Sequence, residues 1–257
     1  MAPRANWKGE LEVSELKCSV KLFTAVSSAE RLSFRTINRK TGHALKRIMV
    51  DEETGEELDS HEQAKGFDSD GKTINFEQKE IADVVPEADK TLQLTQFVSL
   101  NEVPRVVFDK PYYLAPAEKA DADIFSLIAE GLQQTKCGGI ASVVLFRRFR
   151  YVLIYPDFNG LIAMTLHFHD EIKSSNEVFK PITSQKSDPE MLDLAQHIID
   201  TKRGQFNPAG FADRYEQALI SMVKAKIAGK SLPRIKPKRK PQSISLLEAL
   251  KKSAKAA

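Results

Sequence analysis

The stretch Gly138-Gly139-Ile140-Ala141-Ser142-Val143-Val144-Leu145-Phe146-Arg147-Arg148-Phe149-Arg150-Tyr151-Val152-Leu153-Ile154-Tyr155 holds two strongly apolar runs, Ile140 to Phe146 and Tyr151 to Tyr155. They are parted by a tetrad in which three residues are arginine. Runs this short, rich in valine, isoleucine and aromatic side chains, fit buried strands better than helices, and the tetrad falls at the turn between them. A third strand is expected from Leu161 to Phe168. Just upstream, Asp123 to Gln134 sets Ile124, Leu127, Ile128 and Leu132 at helical spacing. The acidic start suits a helix N-terminus, and Gly138-Gly139 lies beyond the expected end.

Towards the N-terminus, Leu11 to Phe34 tends to alternate apolar and polar residues, as in Val20, Leu22 and then Leu32, Phe34, which is the period of half-buried strands. Between Thr91 and Leu114, Leu92, Leu94, Phe97, Val98, Val106, Val107 and Phe108 predict further strands, ended by Pro111 and Pro116. Residues 35–80 differ: short strand-like pieces are broken by turn signals at Thr41-Gly42, Thr54-Gly55 and Asp70-Gly71. This segment is poor in large apolar residues and rich in charge, which suits a projecting arm. Helices do not alternate with the strands. The class is therefore α+β, mainly β, with an antiparallel barrel or sandwich as its body.

After Glu177 the character changes. Ser187-Asp188-Pro189-Glu190 is a helix start with Ser187 or Asp188 as the cap, and Met191, Leu194, Ala195, Ile198 and Ile199 form one apolar face closed by Gly204. A second helix, about Phe211 to Ala228, carries Tyr215, Leu219, Met222, Val223 and Ile227, with Gly229 as its C-terminal cap. Two helices with single apolar faces and no third to complete a bundle must dock on the β body or on a partner subunit. Pro233, Pro237 and Pro241 then stand among lysines and arginines in an extended linker, and Ile244, Leu247 and Leu250 mark a short amphipathic helix.

The net charge of +3 hides an uneven distribution. From Gly229 onward nine lysines and arginines face Glu248 alone, so 29 basic and 34 acidic residues remain for the body. A basic tail on a mildly acidic body suits a polyanion, either nucleic acid or an anionic membrane. The apolar runs fall far short of the roughly 20 residues a membrane-spanning helix needs. No apolar export signal opens the chain, and Cys18 and Cys137, 119 positions apart, read as packed thiols of a reducing compartment. Phosphate-cradling glycine motifs are missing from the sequence, so ATP use is not expected. His167 and His169 alternate on the expected strand without an identifiable third ligand. The carboxylates Asp51, Glu52, Glu53, Glu56 and Glu57 read as a solvated hairpin tip. No catalysis, metal or cofactor is expected.

The order of motifs resembles the bacterial Ku family along almost the whole chain. Ala5-Asn6-Trp7-Lys8-Gly9 and Ser19-Val20-Lys21-Leu22-Phe23 resemble its opening strands, with Ser14-Glu15-Leu16 departing from the usual Gly-Leu. Phe34-Arg35 through Lys46-Arg47, Thr54-Gly55-Glu56-Glu57-Leu58 and Ala64-Lys65-Gly66-Phe67 match its next block. Phe108-Asp109-Lys110-Pro111-Tyr112-Tyr113-Leu114-Ala115-Pro116 is similar nearly letter for letter. Ser126-Leu127, Arg148 and Gly204-Gln205-Phe206-Asn207-Pro208 leading into Asp213-Arg214-Tyr215 complete the set. Ser142 and Phe146 stand where arginine is expected, so local DNA contacts are redistributed.

The resemblance implies a Ku-type barrel over residues 1–176 with an inserted arm, about 35–80, arching over DNA. It further implies a C-terminal helical arm over 177–229 that closes a ring-shaped homodimer, and a basic tail over 230–257. Such a ring binds double-stranded DNA ends without regard to sequence, protects them, and recruits and stimulates the ligase of non-homologous end joining, of the ligase D type. It works in the cytoplasm, at the nucleoid. Phosphate contacts are expected from Arg35, Arg39, Lys40, Lys46 and Arg47 on the arm, Arg147, Arg148 and Arg150 at the barrel turn, and Lys236, Lys238, Arg239 and Lys240 in the tail. Phe149 is expected to pack beneath the turn's arginines. Dimer contacts fall to Met191, Leu194, Ile198, Tyr215, Leu219 and Met222, and ligase contacts to Ile244, Leu247 and Leu250. The rival is a nucleic-acid-binding protein that forms no ring, such as a nucleoid or phage end-protecting protein.

Overall fold

A computed structural model describes residues 4–27, 31–84, 90–158, 160–182 and 188–230. Strands β1 (Trp7–Val13) and β2 (Leu16–Thr24) form the opening antiparallel hairpin, turning at Ser14 in a left-handed conformation. The arm follows as two small hairpins, β3 (Met49–Val50) with β4 (Glu57–Leu58) and β5 (Lys65–Ser69) with β6 (Lys72–Phe76). The turn glycines Gly42, Gly55 and Gly71 all take φ between 73° and 75°, so the expected turn signals hold for the reason glycine is favoured there. A short helix α1 (Gln78–Asp83) ends the arm; its Ile81 and the following Val84 leave too little apolar periodicity to reveal it in sequence.

The chain returns to the body as β7 (Thr91–Ser99), β8 (Phe108–Pro116), α2 (Ala122–Thr135), β9 (Cys137–Leu145), β10 (Arg148–Asp157) and β11 (Gly160–Leu166). These strands close into a barrel in the order β1-β2-β8-β11-β10-β9-β7. Every pairing is antiparallel except the closing one, in which Glu10, Leu11 and Glu12 run parallel to Thr91, Leu92 and Gln93. Alternate residues point inward: Leu11, Val20, Leu22, Leu92, Leu114, Leu145, Val152, Ile154 and Leu161 lose nearly all contact with solvent. Helix α2 touches β2, β8, β9, β10 and β11 and adds Phe125, Ile128 and Leu132 to the same core, so it plugs one end of the barrel.

Helix α2 ends before Gly138 and Gly139 as expected, capped at Lys136, itself left-handed at φ 54°, while Leu32 and Phe34, expected in a strand, lie in none. Gly138 and Gly139 belong to β9. They are small because Leu153 and Leu94 fill the space: a Cβ on Gly139 would lie 2.6 Å from Leu94 Cδ1. Pro111 lies inside β8 rather than ending it, beside a register irregularity opposite Met164 to Leu166, where a missing N–H is tolerated. Val106 and Val107 form a turn of 3-10 helix, not strand. The last body strand stops at Leu166, leaving His167 and Phe168 beyond it.

The described residues fall into two compact units, the first holding residues 4–27 and most of 35–173, the second residues 31–34, 174–182 and 188–230. The second unit contains α3 (Ser175–Phe179), α4 (Pro189–Thr201) and α5 (Arg214–Ile227). Asp188 caps α4 by accepting the Glu190 N–H, and Asp213 caps α5 by accepting those of Tyr215 and Glu216. Ser187, the other cap considered, lies outside the described residues. None of these three helices buries a single residue.

The barrel seam depends on Gly9. A Cβ there would fall 2.0 Å from the Lys90 carbonyl oxygen, with the Trp7 ring also within contact. Replacing Gly9 by Ala is therefore expected to lower stability by roughly 1–3 kcal/mol, seen as a lower urea midpoint with an unchanged slope.

Candidate nucleic-acid interface

The β9–β10 hairpin turns through Phe146 and Arg147, both left-handed at φ 54° and 65°. A two-residue turn of this twist normally takes Asn-Gly, and each larger residue costs roughly 1 kcal/mol. The cost places Arg147 exposed at the tip, while the Phe146 ring folds back towards Tyr112 at a centroid distance of 6.2 Å. Pairing fixes the next residues. Arg148 and Arg150 sit opposite the buried Leu145 and Val143, so both project from the face that lines the barrel, at its mouth. Phe149 opposes Val144 on the other face, and so does not lie beneath the arginines as expected. It stacks edge-on against Tyr151 at 5.4 Å, and Tyr151 against Phe168 at 6.0 Å, making a half-exposed aromatic row on the outside of the barrel.

The segment most similar to the Ku family shapes this mouth. Between the pairs Met164↔Pro111 and Leu166↔Phe108, Thr165 alone faces Asp109 and Lys110, which is a β-bulge. The buried Thr165 hydroxyl accepts the Lys110 N–H at 3.0 Å and donates to Asp109 Oδ2 at 3.0 Å. The same carboxylate oxygen takes Arg150 Nη1 at 3.4 Å. Arg150 is thus braced and largely neutralised, whereas Arg147 and Arg148 are exposed and form no ion pair with a described residue. Burial pushes the Tyr112 phenol above its ordinary pKa, with Arg150 opposing and Asp109 adding to the shift.

On the arm, Arg35, Arg39, Lys40, Lys46 and Arg47 are all exposed and equally free of ion pairs with described residues. The carboxylate run does form a hairpin tip. Asp51 accepts the N–H groups of Thr54 and Glu53 at 2.8 and 2.9 Å, which holds its pKa below the usual carboxylate range. Between the arm and the barrel turn lies a groove of about 740 Å³, walled by Phe67, Phe76 and Ile81 on one side and by Arg147 and Phe149 on the other. Nothing in the sequence pointed to it, because Phe67 and Phe76 sit singly in a charged segment.

The two histidines are not on a strand face. His167 Nδ1 lies 3.2 Å from Glu171 Oε2, which also accepts the Phe168 N–H at 2.9 Å, while His169 begins a turn of 3-10 helix. The backbone hydrogen bond, then that of His167, pull the Glu171 pKa down. Among the described residues no group of three or more metal-ligating side chains comes together, and no helix is long and apolar enough to cross a membrane. Cys18 is buried and its thiol is pushed up to about 11 by that burial and by Asp121, so it stays protonated; Cys137 is partly exposed.

Of the expected dimer contacts, Met191, Leu194 and Ile198 are half-exposed on α4, as are Leu219 and Met222 on α5, and Tyr215 is 73% exposed. The expected tail residues, Lys236, Lys238, Arg239, Lys240, Ile244, Leu247 and Leu250, lie outside the described residues.

A profile of the Ku70/Ku80 beta-barrel domain matches residues 12–194, and the chain belongs to that family. It is 43% identical over 256 residues to the non-homologous end joining protein Ku of Cereibacter sphaeroides, covering 99% of this chain and 96% of the relative. It is 36% identical to the protein of the same name from a Bradyrhizobium species, over 98% of this chain and 87% of the relative. A third, from Methylocella silvestris, is 32% identical over 98% of this chain and 96% of its own length.

The bulge makes Asp109 the residue on which the mouth's order depends. Asp109→Ala would strand the half-buried Arg150 guanidinium and leave the Thr165 hydroxyl only its longer bond to the Lys110 carbonyl at 3.3 Å, at an expected cost of roughly 1–3 kcal/mol. Adding Arg150→Met should recover part of that loss, because the unpaired charge is then gone; chemical denaturation of the single and double variants checks both signs.

Proposed function

We propose that this protein binds double-stranded DNA ends without regard to sequence, as a homodimeric ring, and brings the end-joining ligase to them. The observation that carries the reading is the set of seven exposed cations, Arg35, Arg39, Lys40, Lys46, Arg47, Arg147 and Arg148, on the arm and barrel turn of a Ku-family barrel. They suit phosphate contacts, which give affinity without base readout. Arg150, tied to Asp109, serves better to hold the turn in place than to meet a phosphate. The basic tail residues Lys236, Lys238, Arg239 and Lys240 add a salt-sensitive contact, and Ile244, Leu247 and Leu250 supply an apolar stripe for the ligase. The protein acts by holding and recruiting, in the cytoplasm, with no chemistry of its own.

The helices support a subunit partner. A unit whose three helices bury no residue cannot repay its ordering entropy alone, and Met191, Leu194, Ile198, Leu219 and Met222 offer the apolar surface for a second copy. The mass in solution at micromolar concentration is expected to be that of a dimer, and a monomer by sedimentation would refute the ring.

The deciding comparison is linear duplex against a covalently closed circle of the same sequence. Linear DNA should bind far better, with affinity falling steeply as salt rises because several phosphate counterions are released. Equal binding of circles would favour a nucleic-acid-binding protein that forms no ring.

A further inference from the structure

The groove between the arm and the arginine turn borders only one of the cations assigned above to duplex phosphates, Arg147, and three exposed phenylalanines line it. Phe67 is 63% exposed, Phe149 42% and Phe76 37%. Beyond Phe149 the row of Tyr151 and Phe168 continues the same surface. Exposed rings gathered on one surface offer flat apolar area on which a planar ligand can stack.

The charges on the rim select the occupant. Lys65 and Arg147 border the groove and neither forms an ion pair with a described residue. The rim carries one carboxylate, Glu80, which accepts the Glu77 N–H at 2.8 Å and completes the capping box of α1, so the cations remain in excess. The groove thus offers rings and free cations together. That pairing is how proteins hold single-stranded nucleic acid, with bases stacked on aromatic faces and the backbone neutralised beside them. The internal base pairs of a duplex cannot use such a surface, since they already stack on one another, and a blunt end leaves only the outer face of its last pair open. Unpaired bases are available where a DNA end carries a single-stranded overhang, and the groove's volume accommodates more than one planar ring.

We infer that this groove is a stacking site for the unpaired bases of a single-stranded overhang, with their phosphates on Arg147 and Lys65. The inference rests on the end-binding reading. The strained Phe146-Arg147 turn fits it, because that conformation sets the guanidinium on the rim.

The test uses the full-length protein with a blunt duplex, the same duplex bearing an oligothymidine overhang, and a fluorescent adenine analogue placed in that overhang. The tailed duplex should bind about fivefold more tightly or better, with quenching of the analogue. Phe67→Ala and Phe149→Ala should each remove most of that increment and the quenching while leaving blunt-end affinity unchanged; Phe149→Trp should retain both. Phe67 lies on the arm hairpin, so its variant remains informative if Phe149→Ala disturbs the barrel. Equal affinity for tailed and blunt ends, or quenching that persists in both alanine variants, would overturn the inference while leaving end binding intact. If linear DNA shows no advantage over closed circles, the end-binding reading fails instead. The labelled single strand alone then decides the groove, with quenching lost in Phe67→Ala supporting it and no quenching refuting it.

Discussion

Closure of the barrel is the constraint from which the rest follows. Six of its seven strand pairings are antiparallel, and the seventh, β1 beside β7, runs parallel over only three residue pairs. That short seam needs the Lys90 carbonyl close enough to take the Glu10 N–H at 2.8 Å, and only a residue without a side chain fits at Gly9. Closure removes the free edges that an open sheet would present, and it fixes which residues face inward on every strand. Once Val143 and Leu145 are committed to the interior, Arg148 and Arg150 are carried to the mouth and Phe149 to the outside. The basic and aromatic faces of the arginine turn are thus set by the same closure that buries Leu11 and Leu92.

The mouth shows how a motif that carries a family resemblance can order its neighbours. Asp109, Lys110 and Pro111 form an irregularity in β8 that lets one buried hydroxyl, Thr165, organise two neighbours, and the carboxylate so placed restrains Arg150. Charge is spent on order here, while the free cations lie on either side, at the turn tip and along the root of the arm.

Much of the barrel was legible because its strands are strongly patterned. Val152, Leu153 and Ile154 are apolar without interruption, and Leu153 is buried on the opposite face from its neighbours, so the segment cannot be mistaken for a surface strand. The arm's turns were legible through their glycines. What escaped depends on partners distant in sequence: the parallel seam joins residues some 80 positions apart, the bulge exists only opposite Thr165, and the two glycines after α2 looked like a helix stop although they make room for Leu94 and Leu153. Among the site residues the arginine turn was legible as a cluster, but its division into two faces was not, because alternation can be assigned only once a strand's start is fixed. The groove escaped entirely, since its second wall comes from an arm segment that the sequence leaves unremarkable and that lies far from the arginine turn along the chain.

The seam has a mechanical consequence. The arm leaves the barrel after β2 and returns at Lys90, next to the residue pair Glu10 and Thr91 where the seam begins. A pull on the arm is therefore delivered to the end of the shortest ladder in the barrel, where hydrogen bonds are loaded one after another, as in peeling, rather than together, as in shear. Under tension the barrel should open there first, and its lifetime under load is set by the rate of that opening rather than by the stability of the core. Trp7, folded over Gly9 at the same end, lies where such peeling would start.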